Sequence, residues 1–196
     1  MRFMQNIASL QTLNFMHHSK SRVGVLGGTF DPAHAGHLMI SIEALKVYRF
    51  DYIIWLVANQ NPLKTSNRKN IFARAESALE LALHQRIIVS TAEHDLNSYY
   101  IYDSLKALIQ RFPTVKFSWL MGIDNAVSFR KWHRYSEIPK LCDIVIFDRP
   151  VQTRLVNSSA FGLRAKAIVA KTQANNIIIY RNKLCNISST QIRAYE

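Results

Sequence analysis

Two histidines three positions apart, His34 and His37, end a stretch that reads GGTFDPAHAGHL from Gly27 to Leu38. Gly27 and Gly28 free the backbone to take positive φ and to approach a ligand, and Thr29 adds a hydroxyl to the exposed amides, so the turn suits a phosphate. Phe30 and an Asp-Pro pair follow. Pro32 fits the first turn of a helix, where free amides and the positive end of the dipole favour an anion. At a spacing of three, both imidazoles project to one side of that turn. An imidazole donates a hydrogen bond when neutral and carries charge when protonated, which suits charge building on a phosphoryl group. A turn that only reverses the chain needs far fewer of these residues.

A second stretch with anion-binding character is ISSTQIR, from Ile187 to Arg193. Its hydroxyls Ser188, Ser189 and Thr190 precede a new helix, with Arg193 one turn inward, which makes an N-cap and anion site. Taken alone, a plain helix cap explains the same residues. Two familiar nucleotide loops are excluded by spacing: GxGxxG is absent, no acid follows the second strand to hold a ribose, and no GK is followed by Ser or Thr.

The elements that must position these groups are readable from hydrophobic pattern. Six apolar, β-rich runs, RVGVLG, YIIWLVA, RIIVST, VKFSWLM, DIVIF and NIIIY, read as strands buried on both faces. Helical periodicity lies between them at His37 to Phe50, Asn70 to Leu83, Ile101 to Phe112 and Ser159 to Lys171. Alternating strand and helix implies right-handed crossovers and a mainly parallel sheet covered on both sides. Ligands then sit at the carboxyl ends of the strands, near the switch in strand order. The segments expected there are GGTFDPAHAGH, NQNPLK, GIDN and RP.

The chain has 196 residues, enough for one α/β domain from about Arg22 to the end without staples. Residues 1–21 carry no acid and little periodicity and read as a flexible extension. Cys142 and Cys185 stand far apart with no zinc-ligand spacing, which points to reduced thiols in a cytoplasmic protein with no metal site of its own. Lys and Arg number 25 against 13 Asp and Glu, a net charge of +12, which favours anionic partners. No apolar run approaches the roughly 20 residues of a membrane span.

Both motifs carry a resemblance. GGTFDPAHAGHL resembles the first signature of the nucleotidyltransferase superfamily, with its HxGH element, and ISSTQIR resembles the second. Between them SYYIYDSL, GIDNAVSFRKWHRYSEI and DRP are similar to bacterial nicotinate-nucleotide adenylyltransferases in order and spacing, from about Val23 to Arg193. The resemblance implies a Rossmann-like, doubly wound α/β fold and transfer of the adenylyl group of ATP to nicotinate mononucleotide, releasing pyrophosphate. It implies no covalent enzyme intermediate, so catalysis rests on positioning and charge stabilisation. By the same resemblance His34 and His37 hold the triphosphate and the charged transition state, together with Gly27, Gly28, Thr29 and Phe30. Ser188, Ser189, Thr190 and Arg193 take the β- and γ-phosphates, and Mg²⁺ arrives with ATP. Trp132 and His133 flank the nicotinate ring, and Ser98, Tyr99 and Tyr100 close its other side. Asn59 and Asp124 contact ribose or mononucleotide, and Lys64 meets its phosphate.

The chain departs from the family pattern at four places. NPLK stands where PPHK is usual, so Leu63 replaces a histidine. His133 stands where tyrosine is common and Tyr100 where threonine is. Only Ala194, Tyr195 and Glu196 follow Arg193. The alternatives are a sister adenylyltransferase using nicotinamide mononucleotide or phosphopantetheine, or a non-enzymatic basic domain binding nucleic acid. For the second, interleaved basic and aromatic clusters are lacking and the charges are scattered, so no nucleic-acid partner is expected, and without a long apolar run no membrane partner is expected either. A homo-oligomer is left open.

Overall fold

The computed structural model describes residues 6–16, 20–59, 70–148 and 177–181. Six strands form one sheet: β1 (Arg22–Gly28), β2 (Tyr52–Val57), β3 (Ile87–Ser90), β4 (Lys116–Gly122), β5 (Asp143–Asp148) and β6 (Ile177–Arg181). Their order is β3-β2-β1-β4-β5-β6, and every pair is parallel. This is the doubly wound Rossmann-like arrangement, with the switch in strand order between β1 and β4. The six apolar runs are these six strands. In β1 to β5 the continuous hydrophobicity follows from burial on both faces, since parallel crossovers lay helices on each side; Ile178 of β6 is exposed.

Alternate residues of each strand feed two cores. On one face Val23, Val25, Ile54, Leu56, Trp119 and Met121 pack against Leu105 and Leu108 of α4 (Ile101–Arg111). On the other, Leu26, Ile53, Trp55, Val57 and Leu120 pack against Ile40 and Ala44 of α1 (Ala35–Val47) and Ala75 and Ala78 of α2 (Ile71–Leu81). The three long helices lie close to the periodic stretches, with ends trimmed by caps. His34 is the N-cap of α1, and the Asn70 side chain accepts from the Phe72 amide at 3.0 Å to start α2. Besides a 3-10 turn at Thr12–Met16, four short elements lie outside the periodic stretches: α3 (Ala92–Asp95), α5 (Ile123–Ser128), a 3-10 turn at Phe129–Lys131 and α6 (Ile138–Leu141). The expected helix from Ser159 to Lys171 and the RP segment fall outside the described residues.

Three expectations need correction. Gly27 and Gly28 lie inside β1, and no glycine among the described residues has positive φ; the left-handed residue of the turn is Phe30, at φ 49°. A Cβ on Gly27 would sit 2.0 Å from Cη2 of Trp119, so this glycine makes room for an indole at the switch point. Pro32 precedes α1 and does not open it. Residues 6–16 are not a loose extension: Leu13 and Met16 are fully buried. The Ala8 amide donates to the Val89 carbonyl (2.8 Å) and the Thr91 amide to the Ala8 carbonyl (3.1 Å), so the segment pairs with the outer edge of β3. A 3-10 turn at Thr12–Met16 follows, and the Leu10 amide donates to Asp95 Oδ2 at 2.7 Å.

Because the Gly27 position is filled by a neighbouring ring, Gly27→Ala should lower stability by about 1–3 kcal/mol. Denaturant unfolding of the two proteins checks it, and an unchanged midpoint would contradict the packing role.

Candidate active site

The end of β1 delivers the chain to the N-terminus of α1, where both histidines stand. His34 is in extended conformation at the N-cap and His37 is the third helical residue. Their ring centroids are 3.8 Å apart. The His34 amide donates to His37 Nδ1 at 3.2 Å, and the His37 amide donates to the His34 carbonyl at 2.9 Å. A nitrogen that accepts carries no proton, so the neutral His37 ring bears its hydrogen on Nε2, an assignment made from the hydrogen-bond geometry. Phe30 and Trp55 support that ring, with centroids at 4.7 and 5.9 Å, and stack on each other at 5.2 Å. Trp55 Nε1 donates to Ser41 Oγ (2.7 Å), and Ser41 Oγ donates to the His37 carbonyl (2.9 Å). The imidazole pair is thus held at a helix N-terminus, where free amides attract anions.

A second aromatic group lies across the switch. Trp132 packs edge-on against Trp119 and Phe129, with centroids at 6.1 and 5.4 Å, and its Nε1 donates to Ser128 Oγ at 3.4 Å. Tyr100, at the N-cap of α4, meets the His133 ring at 4.5 Å. These are two of the positions that depart from the family pattern, and they face each other. The Arg134 guanidinium lies 5.0 Å above the Tyr102 ring and ties the same two segments together. Tyr99 is exposed, Ser98 is buried, and Asp124 lies in α5 immediately after β4. Lys64, Ser188, Ser189, Thr190 and Arg193 fall outside the described residues.

The structure adds three residues that motif reading did not single out. Arg74 of α2 is buried, and its Nη1 donates to the Thr29 carbonyl at 2.6 Å. Its Nη2 donates to the Ala58 carbonyl at 2.8 Å and to the Asn59 carbonyl at 3.4 Å. Glu93 of α3 is buried as well; its Oε2 accepts the Asn59 amide and its Oε1 the Ser104 hydroxyl, both at 3.0 Å. Ser104 Oγ lies 2.9 Å from Ser98 Oγ. The one available signal was an arginine on the apolar stripe of α2, level with Ile71, Ala75 and Ala78. Among the described residues no group of three or more His, Cys, Asp or Glu is placed to hold a metal ion, and no helix is long and apolar enough to cross a membrane.

Burial pushes the Glu93 carboxyl up to about 7, against the opposing pull of the Asn59 amide, the Ser104 hydroxyl and the Arg74 charge. A carboxyl raised in the folded state binds its proton more tightly there than when unfolded. Its contribution to stability is therefore full below about 4.5 and is lost as pH rises through about 7. Unfolding free energies across that window should fall with rising pH, and Glu93→Gln should flatten the slope. Parallel slopes for the two proteins would exclude Glu93 as its source.

Comparison with known proteins gives a consistent picture. Residues 25–195 match the model of the cytidylyltransferase-like family. A protein of Cereibacter sphaeroides named "Probable nicotinate-nucleotide adenylyltransferase" is 37% identical over 178 residues, covering 88% of this chain and 96% of the relative. One of Methylorubrum extorquens with the same name is 41% identical over 133 residues, covering 67% and 72%. Among solved structures, the Plasmodium falciparum nicotinic acid mononucleotide adenylyltransferase complexed with APC superposes with a TM-score of 0.70 at 14% identity, over 89% of this chain and 83% of that one. That last likeness is one of fold.

Proposed function

We infer the reaction from one premise: the chain belongs to the cytidylyltransferase-like family and, within it, to the nicotinate-nucleotide adenylyltransferases. It transfers the adenylyl group of ATP to nicotinate mononucleotide, giving nicotinate adenine dinucleotide and pyrophosphate. A phosphate oxygen of the mononucleotide forms the new bond to the α-phosphorus of ATP while the bond between that phosphorus and the bridging oxygen breaks, and pyrophosphate leaves. ATP enters as its Mg²⁺ complex, so the metal belongs to the substrate. The setting is cytoplasmic, in keeping with the two widely separated cysteines, Cys142 and Cys185.

The observation that carries this reading is the His34–His37 pair at the N-terminus of α1, beside the switch point. Charge accumulates on the oxygens of the five-coordinate phosphorus, where preorganised donors stabilise the transition state more than the bound substrates. His37 Nε2–H and the helix amides supply such donors with Gly27, Gly28, Thr29 and Phe30 shaping the cradle. Ser188, Ser189, Thr190 and Arg193 bind the leaving pyrophosphate. Trp132, His133, Ser98, Tyr99 and Tyr100 form the nicotinate side, supported by the close approach of Tyr100 to His133. Asn59, Lys64 and Asp124 complete the mononucleotide site.

The experiment is a coupled assay of pyrophosphate release with ATP and each mononucleotide. His37→Ala should lower turnover by at least about 10²-fold, with ATP affinity changed much less. Turnover near that of the parent protein would remove His37 from the charge-stabilising role. The same assay tests substrate choice. Donors arranged for a carboxylate meet an NH₂ in the amide substrate, a mismatch of about 1–3 kcal/mol, so the acid should be preferred by roughly tenfold to a few hundredfold. A kcat/KM ratio within about threefold, or one favouring the amide, would contradict the acid preference and leave adenylyl transfer standing.

A further inference from the structure

We propose that Arg74 and Glu93 are positioning residues that hold the ATP-side loop after β1 and the mononucleotide-side loop after β2 in fixed relation, with Ser104 extending the hold to the Ser98–Tyr100 segment. This rests on the adenylyl-transfer reading of the site. Both side chains act on main chain. Arg74 grips the carbonyls of Thr29 and Ala58, one beyond each of two neighbouring parallel strands, and reaches that of Asn59. Glu93 takes the Asn59 amide, so the backbone of that residue is held from both sides. The two strands are also laced by the Ala58 amide, which donates to the Gly28 carbonyl at 2.8 Å.

Ser104 carries the hold further. Its single hydroxyl hydrogen has three acceptors in reach, Glu93 Oε1 at 3.0 Å, the Tyr100 carbonyl at 3.2 Å and Ser98 Oγ at 2.9 Å. Ser98 Oγ reaches the Tyr100 carbonyl at 3.2 Å and Ser104 Oγ at 2.9 Å. With Glu93 ionised, the Ser104 hydrogen goes to the carboxylate, and the Ser98 hydroxyl is left to serve Tyr100 or Ser104. The network therefore runs without a gap from Thr29, beside the ATP cradle, to Tyr100, beside the nicotinate side. Direct attack of one phosphate on another needs the reacting atoms aligned, and a misplacement of about 1 Å can cost roughly 10²-fold in rate. A clamp on two loop backbones sets that distance without touching either substrate.

Three variants test it, each first compared with the parent protein by thermal melting. Arg74→Lys keeps the charge but loses the planar fork that spans two carbonyls, so kcat should fall by about 10-fold or more with both KM values raised. Glu93→Gln frees the mononucleotide side only: its KM should rise by about 10-fold while that of ATP moves less than about twofold. Ser104→Ala removes one hydroxyl from a buried site, and should show the same split at about 3- to 10-fold, which keeps the test open if the larger changes prevent folding. Folded Glu93→Gln and Ser104→Ala proteins with parental constants, or equal shifts for both substrates, would overturn the positioning role. Absence of pyrophosphate release by the parent protein with every mononucleotide would instead overturn the reaction on which the proposal rests.

Discussion

A buried guanidinium bound to carbonyls at the ends of two parallel strands is the constraint around which this site is built. Parallel strands end with peptide groups that have no ladder partner beyond the sheet, and loops leaving them are free to drift. Arg74 answers both problems: its fork satisfies carbonyls of Thr29 and Ala58 that the sheet no longer serves, and it draws the two exits together. Burying that charge would be unfavourable if any donor were idle, so the arrangement is stable only in a narrow geometry. Glu93 lies near enough for the two charges to favour each other, and it extends the same logic to an amide.

The histidine pair depends on a different economy of hydrogen bonds. In most helices the N-cap is a short hydroxyl or carboxamide, whereas here the ring of His37 accepts from the backbone of His34. One bond therefore finishes the helix start and sets which ring nitrogen carries the hydrogen. The support behind it, Phe30 stacked on Trp55 and Trp55 anchored on Ser41, leaves the ring little room to rotate. Rigidity of this kind is what allows a donor to stabilise developing charge without first reorganising.

Much of this was legible in the residues alone, and the reasons are specific. Strands buried on both faces write themselves as unbroken apolar runs, which is why β1 to β5 were recognisable; β6 reads the same way although Ile178 is exposed. The two histidines and their glycine stand together in the chain, so their spacing reported their proximity. Arg74, Glu93 and Ser104 were silent because their partners include main-chain atoms, which carry no residue identity, and because the contacts join α2, α3, α4 and the exits of β1 and β2. The short turns α5 and α6 span too few residues to show a period. Gly27 read as a residue free to take positive φ beside a ligand and is a packing choice, since the ring it accommodates lies on a strand far along the chain. Residues 6–16 looked unstructured because their order comes from an edge formed by β3, not from local preference.

That edge pairing has a bearing on how the molecule behaves in company. A parallel sheet ends in a row of amides and carbonyls open to any passing chain, and such borders are templates for self-association. In this protein the backbone of Ala8 occupies part of the border along β3, with Ser90 Oγ adding a bond to the Ala8 carbonyl at 2.8 Å. Leu13 and Met16 bury the face beside it. The segment thus serves as a built-in gatekeeper: preparations shortened from the front would present a sticky β-border and an oily patch together, and their solubility would suffer before their chemistry did.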